Sequence, residues 1–171
     1  EPYYDAYAAC VALAGARLVT VPLRWPDFQP DLDELAHAVT DRTRMILVND
    51  PHNPTGAVFS AEVRAEVVRL AELHDAVIVT DEVYEHLVFD GPHVPIATVP
   101  GAAHRTLSIS SAGKTFSATG WQIGWVSGAA DLIDAVLAVK QFLTYVNGTP
   151  FQYAIAAGLA LPDDVFTGIA D

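Results

Sequence analysis

Short apolar segments alternate with helical patterns along most of this 171-residue chain, and this alternation restricts the possible folds more than any other feature. The apolar segments are mostly β-branched, as in buried strands, and they span residues 16–23, 44–49, 76–81 and 105–110. Helical patterns cover residues 31–39, starting at Asp31, and residues 60–74. Strands joined by helical crossovers predict a largely parallel sheet with helices on both faces.

The start and the apolar side of the longer predicted helix, residues 60–74, can be assigned in more detail. Ser60 can cap this helix and Glu62 lies near its positive end, while an apolar side is formed by Val63, Val67, Leu70 and Leu73.

The last predicted strand differs in direction from the others. After residue 110 only about ten residues precede the next apolar segment, residues 121–127. This is too few for a helical crossover, so that strand is predicted to be antiparallel. Two further helices are expected over residues 131–142 and 151–161, the second after Pro150. The expected fold is an α/β three-layer sandwich with a mostly parallel mixed sheet.

Polar side chains follow the predicted strands at the points where the strands end. Asn53 comes just after the second strand, Asp81 ends the third with Tyr84 three residues later, and Ser111 follows the fourth, three residues before Lys114. Because parallel strands place their carboxyl ends at one edge of a sheet, we expect these groups to share that edge.

This set of side chains is what a covalently bound aldehyde cofactor requires. The Lys114 amine can condense with an aldehyde to form an imine, and it can later act as base and acid in proton transfer. Each residue alone has an ordinary interpretation: a solvated loop lysine, an N-cap aspartate, a half-buried tyrosine, or a turn asparagine or serine. An amine with an acid, a phenol, an amide and a hydroxyl indicates a cofactor pocket.

Four segments resemble the class I/II aminotransferases of the fold type I group of pyridoxal phosphate enzymes: EPYYDAY, NDPHNPTG, TDEVYEHLVF and SSAGKTFSATGWQIGW. The branch most similar to the chain contains kynurenine, methionine and N-succinyldiaminopimelate aminotransferases. The resemblance implies a ping-pong transamination, in which an amino group moves from an amino acid to a 2-oxo acid through a Schiff base on Lys114 with pyridoxal 5'-phosphate as cofactor.

The resemblance also implies a role for each candidate residue. The catalytic residues would be Lys114, Asp81 and Tyr84. Asp81 would lie under the pyridine nitrogen, and Tyr84 would hydrogen-bond the phenolic oxygen of the cofactor. The full set of cofactor-binding residues would be Tyr4, Asn53, Asp81, Tyr84, Ser111, Lys114 and Gln122.

The remaining members of this set have more specific expected contacts. Asn53 would share the phenolic oxygen with Tyr84, Ser111 would donate to the phosphate at the start of an irregular loop, and Tyr4 would stack on the pyridine ring. Gln122 departs from the family, whose members commonly carry Arg or Lys at this place in GW-x-x-G to clamp the phosphate. The missing charge-assisted hydrogen bond is worth about 1.5–3 kcal/mol, and the sequence therefore predicts weakened cofactor retention.

Length and resemblance together predict how the chain is organised. Family members are about twice as long, so residues 1–171 are expected to form the central part of the large, cofactor-binding domain, with the N-terminal and C-terminal parts of the enzyme absent. The chain alone is then not expected to be a complete enzyme. The resemblance also implies a homodimer.

Composition excludes several other kinds of partner. Nine basic against 21 acidic residues give a net charge of −12, which argues against nucleic acid as a partner. Cys10 is the single cysteine, so an intrachain disulfide and a cysteine-rich zinc site are excluded. His52, His86 and His93 lack metal-ligand spacing, and no metal site is expected. No apolar run reaches about 18 residues, and the expected location is cytoplasmic, with no membrane association.

Three alternatives remain open at this point. AGKT and VIVTDE are similar to the phosphate loop and the acidic strand of a nucleotide-binding protein, but the first glycine of such a loop would fall on Ser108, and the acidic strand precedes the lysine. A non-catalytic relative would explain Gln122. A C–S lyase of the same fold would need the same lysine and acid, although Tyr84 in TDEVY is more similar to the transaminases.

Overall fold

The fold is built on a four-stranded mixed sheet in the order β1-β2-β3-β4, seen in a computed structural model that describes residues 1–169. The strands are β1 (Met45–Asn49), β2 (Val77–Asp81), β3 (Thr106–Ser111) and β4 (Gly124–Gly128). β1, β2 and β3 run parallel, and β4 pairs with β3 in the antiparallel direction. The predicted mostly parallel sheet with a final antiparallel strand is thereby confirmed.

Seven α-helices connect or flank these strands within residues 1–169. They are α1 (Ala6–Leu13), α2 (Leu32–Ala38), α3 (Ala61–Leu73), α4 (Ala112–Thr115), α5 (Ala130–Leu143), α6 (Thr149–Leu159) and α7 (Asp163–Thr167). Asp31 and Ser60 cap α2 and α3, because their side chains accept hydrogen bonds from the Glu34 and Val63 amides. The sequence analysis did not predict α1, α4 and α7, of which α4 and α7 have only four and five residues.

One face of the sheet and α3 enclose the main hydrophobic core. Val63, Val67 and Leu70 of α3 are buried against strand residues such as Ile46 and Ile78. Leu73 was also expected on this side of the helix, and that expectation is wrong.

Leu73 is 64% exposed, and Val68 and Ala71 are buried in its place. At about 100° per residue, the buried stripe runs through Val67, Leu70 and Ala71, and Leu73 falls beyond its edge.

Residues 16–23 do not form the strand that their apolar pattern predicted. The segment pairs with the start of the chain, since the Leu23 amide donates to the Glu1 carbonyl at 2.7 Å. Its one β-type partner is Pro30, in an isolated antiparallel bridge to Leu23. Leu18 and Val19 are 40% and 49% exposed, which shows that β-branched composition alone does not place a segment in a sheet.

The second face of the sheet is less covered than the α3 face. Met45, Leu47 and Ile109 on this face are 52%, 39% and 37% exposed. Val136 of α5 lies beside them and lines a mainly apolar cavity of about 430 Å³. No helix within residues 1–169 has the length and apolar character needed to cross a membrane.

Candidate active site

The strand register brings the predicted site residues to one edge of the sheet. Asn49 at the end of β1 lies opposite Asp81 at the end of β2, and Asp81 lies opposite Ile109 near the end of β3. β3 ends at Ser111, and α4, which carries Lys114, follows directly. The edge therefore collects groups from three segments that are far apart in the sequence.

Asp81 is held by two donors. The Tyr7 hydroxyl donates to Oδ2 of Asp81 at 2.6 Å, and the Val83 amide donates to Oδ1 at 3.3 Å. Burial raises the pKa of Tyr7, and the hydrogen bond to the Asp81 carboxylate and its charge raise it further. The Tyr7 phenol therefore keeps its proton and remains a hydrogen-bond donor to Asp81.

Tyr7 is a site residue that the sequence analysis missed. It is the third tyrosine of EPYYDAY, lies in the first turn of α1, and comes three residues after Tyr4, which precedes that helix. Their rings contact edge to face, with centroids 5.7 Å apart. Tyr4 itself is 51% exposed.

Lys114 lies beside Tyr84. The amine Nζ is 5.5 Å from the centroid of the Tyr84 ring, the geometry of a cation–π contact. Lys114 is exposed and belongs to the single turn of α4, whereas Tyr84 is half-buried. The structure thus brings together two of the three residues predicted to be catalytic.

Ser111 and Gly113 set the position of α4. Ser111 was expected to begin an irregular loop, but it caps this helical turn instead, with its Oγ accepting from the Gly113 amide at 3.1 Å. A Cβ atom at Gly113 would lie 3.1 Å from Cα of Thr119, so the close approach of these two backbones favours glycine. Thr119 also donates from Oγ1 to the Gly113 carbonyl at 3.1 Å.

Asn53 is connected to Asp81 through Asn49. The backbone amide of Asn53 donates to Oδ1 of Asn49 at 2.7 Å, and Nδ2 of Asn49 donates to the backbone carbonyl of Asp81 at 2.9 Å. Asn49 is 5% exposed. Its position at a strand end was visible in the sequence, but its role in linking two loops was not predicted.

Gln122 lies apart from these contacts. It is exposed, has a left-handed backbone with φ of 54°, and donates from Nε2 to the Thr119 carbonyl at 2.9 Å. The next residue, Ile123, accepts a hydrogen bond from the Ala112 amide at 3.0 Å, which attaches this turn to the start of α4.

The phosphate-loop alternative does not fit this geometry. Ser108, where the first glycine would be needed, lies inside β3 and pairs with Thr80 and Ser127. A central strand residue cannot belong to a loop that wraps a phosphate.

The residues at the edge do fit a phosphorylated pyridine aldehyde. The edge offers a lysine amine for the aldehyde, a carboxylate for the ring nitrogen, a phenol and an amide for the ring oxygen, and a serine hydroxyl for the phosphate. The fold and this set of groups define an α/β protein with a lysine amine and a carboxylate at the carboxyl edge of its parallel strands.

Residues 1–167 match the family model of aminotransferase class I and II, and the chain belongs to this family. It is 54% identical over 167 residues to a probable N-succinyldiaminopimelate aminotransferase of Mycobacterium tuberculosis, covering 95% of this chain and 42% of the relative. It is 42% identical over 168 residues to human kynurenine–oxoglutarate transaminase 1, covering 91% of this chain and 40% of that enzyme.

A solved structure confirms the fold class. The N-succinyldiaminopimelate aminotransferase from Mycobacterium tuberculosis superposes with a TM-score of 0.95 at 52% identity, covering 99% of this chain and 45% of the other. The resemblance to class I/II aminotransferases is confirmed as well. The chain spans less than half the length of these relatives.

Proposed function

We propose that this chain carries the catalytic lysine of an aminotransferase that transfers an amino group from an amino acid to a 2-oxo acid. The observation that carries the proposal is the Lys114 amine, 5.5 Å from the Tyr84 ring and at the same strand edge as Asp81. Membership of the aminotransferase family supports it.

Members of the family depend on pyridoxal 5'-phosphate, and the residues at the edge can hold it. When bound, this cofactor supplies an aldehyde that bonds to amines and a ring that withdraws negative charge from the reacting carbon. Nζ of Lys114 would bond to the aldehyde carbon. Once the substrate amine has displaced it, Nζ would take the proton from the substrate Cα and deliver it to C4′, the former aldehyde carbon of the cofactor.

The other residues would control charge and orientation. The Asp81 carboxylate would keep a proton on the ring nitrogen, and Tyr7 would hold that carboxylate through its 2.6 Å hydrogen bond. Tyr84 and Asn53 would donate to the ring oxygen, and Ser111 would donate to the phosphate. Tyr4, which is half exposed beside Tyr7, would cover one face of the ring.

Gln122 would contribute a neutral contact to the phosphate. Because it brings no charge, the phosphate would depend more strongly on hydroxyl and amide donors than it does where a cation is present.

The remaining parts of the proposal concern the whole protein. The relatives named above suggest N-succinyldiaminopimelate or kynurenine as candidate amino donors, and the resemblance of the sequence motifs adds methionine. We further propose that residues 1–171 are the central part of the large domain, in a homodimer located in the cytoplasm. The single cysteine supports a reducing compartment, because the chain has no intrachain disulfide to lose there.

The test uses the full-length protein that contains this chain. It is assayed with a panel of amino donors and either 2-oxoglutarate or pyruvate as acceptor, and the product 2-oxo acid is identified. We expect Lys114→Ala to lose essentially all turnover, because Lys114 supplies the amine at the strand edge that carries Asp81. Lys140→Ala is the matched control, since Lys140 lies in α5 and donates to the Tyr145 carbonyl.

Two results would contradict the proposal. Unchanged turnover in Lys114→Ala would exclude the assigned lysine. Elimination products in place of a 2-oxo acid and an aminated acceptor would exclude transamination.

A further inference from the structure

A buried layer of charged side chains lies at the same strand ends as the candidate site, but on the opposite face of the sheet. Side chains alternate between the two faces of a strand, so Asp50 and Glu82 point away from their neighbours Asn49 and Asp81. Asn49 and Asp81 are paired in the strand register, which makes Asp50 and Glu82 the next matching positions. Asp50 and Glu82 are only 4% and 3% exposed.

Asp50 has donors on both carboxylate oxygens. Oδ1 accepts from the Phe59 amide at 3.0 Å, and Oδ2 is 3.5 Å from Nη1 of Arg64 in α3. Burial raises the pKa of Asp50, while the Phe59 amide and the charges of His93 and Arg64 act in the opposite direction. A carboxylate this deeply buried requires such partners to remain charged.

Glu82 is held in a comparable way by two donors on the same oxygen. Its Oε1 accepts from the Ile96 amide at 3.2 Å and from Oγ1 of Thr80 at 3.3 Å. The third group beside this oxygen is His93, whose Nε2 lies 3.8 Å away.

The His93 side chain is 6% exposed, and within residues 1–169 neither ring nitrogen has a hydrogen-bond partner. A buried imidazole without hydrogen bonds is costly, and the carboxylate within 4 Å of this ring is that of Glu82. His93 is therefore in a position to hold Glu82.

We propose that His93 is a positioning residue that holds Glu82 and thereby the end of β2 that carries Asp81, to which the loop that carries Asn53 is hydrogen-bonded. The backbone makes the connection to the site. The Asp50 amide donates to the Asp81 carbonyl at 3.1 Å, and the Glu82 amide donates to the Ile109 carbonyl at 2.8 Å. Movement of either acidic residue therefore displaces Asp81.

His93 acts from the α3 side and does not touch the reacting groups. Arg64 approaches Asp50 from α3, and His93 approaches Glu82 from the loop before Ile96, so these two side chains close the layer from different elements. The role of Asp81 in this inference rests on the proposed function, whereas the link between the two loops does not.

The test compares His93→Phe and His93→Gln with Val67→Ala in the full-length protein. Val67 is 1% exposed and lies in the same core, so its truncation destabilises the protein without touching the charged layer. Amide hydrogen exchange of the cofactor-free protein is measured for residues 49–53, 81–84 and 61–73. The absorbance spectrum of the cofactor-bound protein is then recorded as a function of pH.

We expect His93→Phe to speed exchange in residues 49–53 and 81–84 by at least about threefold relative to residues 61–73. His93→Gln keeps one amide donor, so it should show the same selective change at a smaller size. Both variants should shift the pH midpoint of the cofactor absorbance. Val67→Ala should lower the melting temperature without a selective change in either segment.

Exchange that rises equally in all three segments, or no selective rise in whichever His93 variant folds, would overturn the inference. Exchange in the cofactor-free protein does not depend on the proposed function. A wild-type protein without an absorbance band that borohydride abolishes would instead refute the proposed function, and the exchange result would still decide the role of His93.

Discussion

The two faces of the sheet differ sharply in how completely they are covered. On the α3 face, Val67, Leu70 and Ile78 are 1% exposed or less. On the other face, Met45 is 52% exposed and Leu137 of α5 is 54% exposed. Packing on the α3 side therefore supplies most of the stability of the described residues, whereas the candidate site lies along the edge where the two sides meet.

The largest expected effect is on the free energy of unfolding, and it compares one leucine from a helix on each side of the sheet. Leu70→Ala should lower the free energy of unfolding by about 2–5 kcal/mol, because it leaves a cavity in the closed face. Leu137→Ala removes the same atoms from the open face and should change it by less than about 0.5 kcal/mol. Urea unfolding measures both. Equal losses would show that the open face is as tightly packed as the α3 face.

A second prediction concerns the contact that anchors the site. Tyr7→Phe removes the hydroxyl that donates to Asp81 at 2.6 Å and should lower the free energy of unfolding by about 1.5 kcal/mol, the low end for a bond to a charged group. Tyr4→Phe removes a hydroxyl from a half-exposed ring in the same segment and is the matched control. Identical unfolding curves for the wild type and Tyr7→Phe would contradict the anchoring role.

A smaller effect is expected where the site is most open. Gln122→Arg should lower the cofactor dissociation constant by about two- to fivefold, because an exposed ion pair contributes only about 0.5–1 kcal/mol. Gln122→Met is the control: its side chain is of similar length but cannot hydrogen-bond a phosphate strongly, and it occupies the same left-handed backbone position. A gain that occurs with Arg and not with Met is therefore due to the charge. Titration of the cofactor-free protein gives the dissociation constants, and equal values for Gln and Arg would show that the missing charge has no effect.

The smallest effect concerns the start of the chain. His52 joins its loop to this segment, with Nε2 and the Pro2 carbonyl 3.1 Å apart. Burial lowers the pKa of His52 from its ordinary value of 6.5, so below that value the unfolded state binds more protons than the folded state. The free energy of unfolding should therefore fall as the pH drops below 6.5. The free energy of unfolding should fall less steeply with pH in His52→Gln. The same pH dependence in the wild type and the variant would show that His52 does not cause the fall.

The sheet and the location of the site could be predicted because both depend on local patterns. β-branched runs mark β1, β2 and β3, and polar residues at their ends meet at one edge for any parallel register. Capping residues such as Ser60 act within one turn, so their roles could also be predicted.

The contacts that could not be predicted all depend on distant residues. Tyr7 donates to a residue 74 positions away, and His93 approaches Glu82 only after the loop between them folds back. Residues 16–23 were assigned to a strand because their composition suits one, yet strand formation also needs a neighbour with free backbone groups. Pairwise geometry of this kind is not encoded in spacing or periodicity.

The most direct test of the central claim identifies which amine bonds to the cofactor. The chain has two lysines, Lys114 and Lys140, so the second serves as an internal control. The full-length protein is loaded with pyridoxal 5'-phosphate, reduced with borohydride, digested and mapped by mass spectrometry. The account predicts that the peptide containing Lys114 gains the mass of the reduced cofactor. A label on Lys140 or another amine, or no label at all, would contradict it.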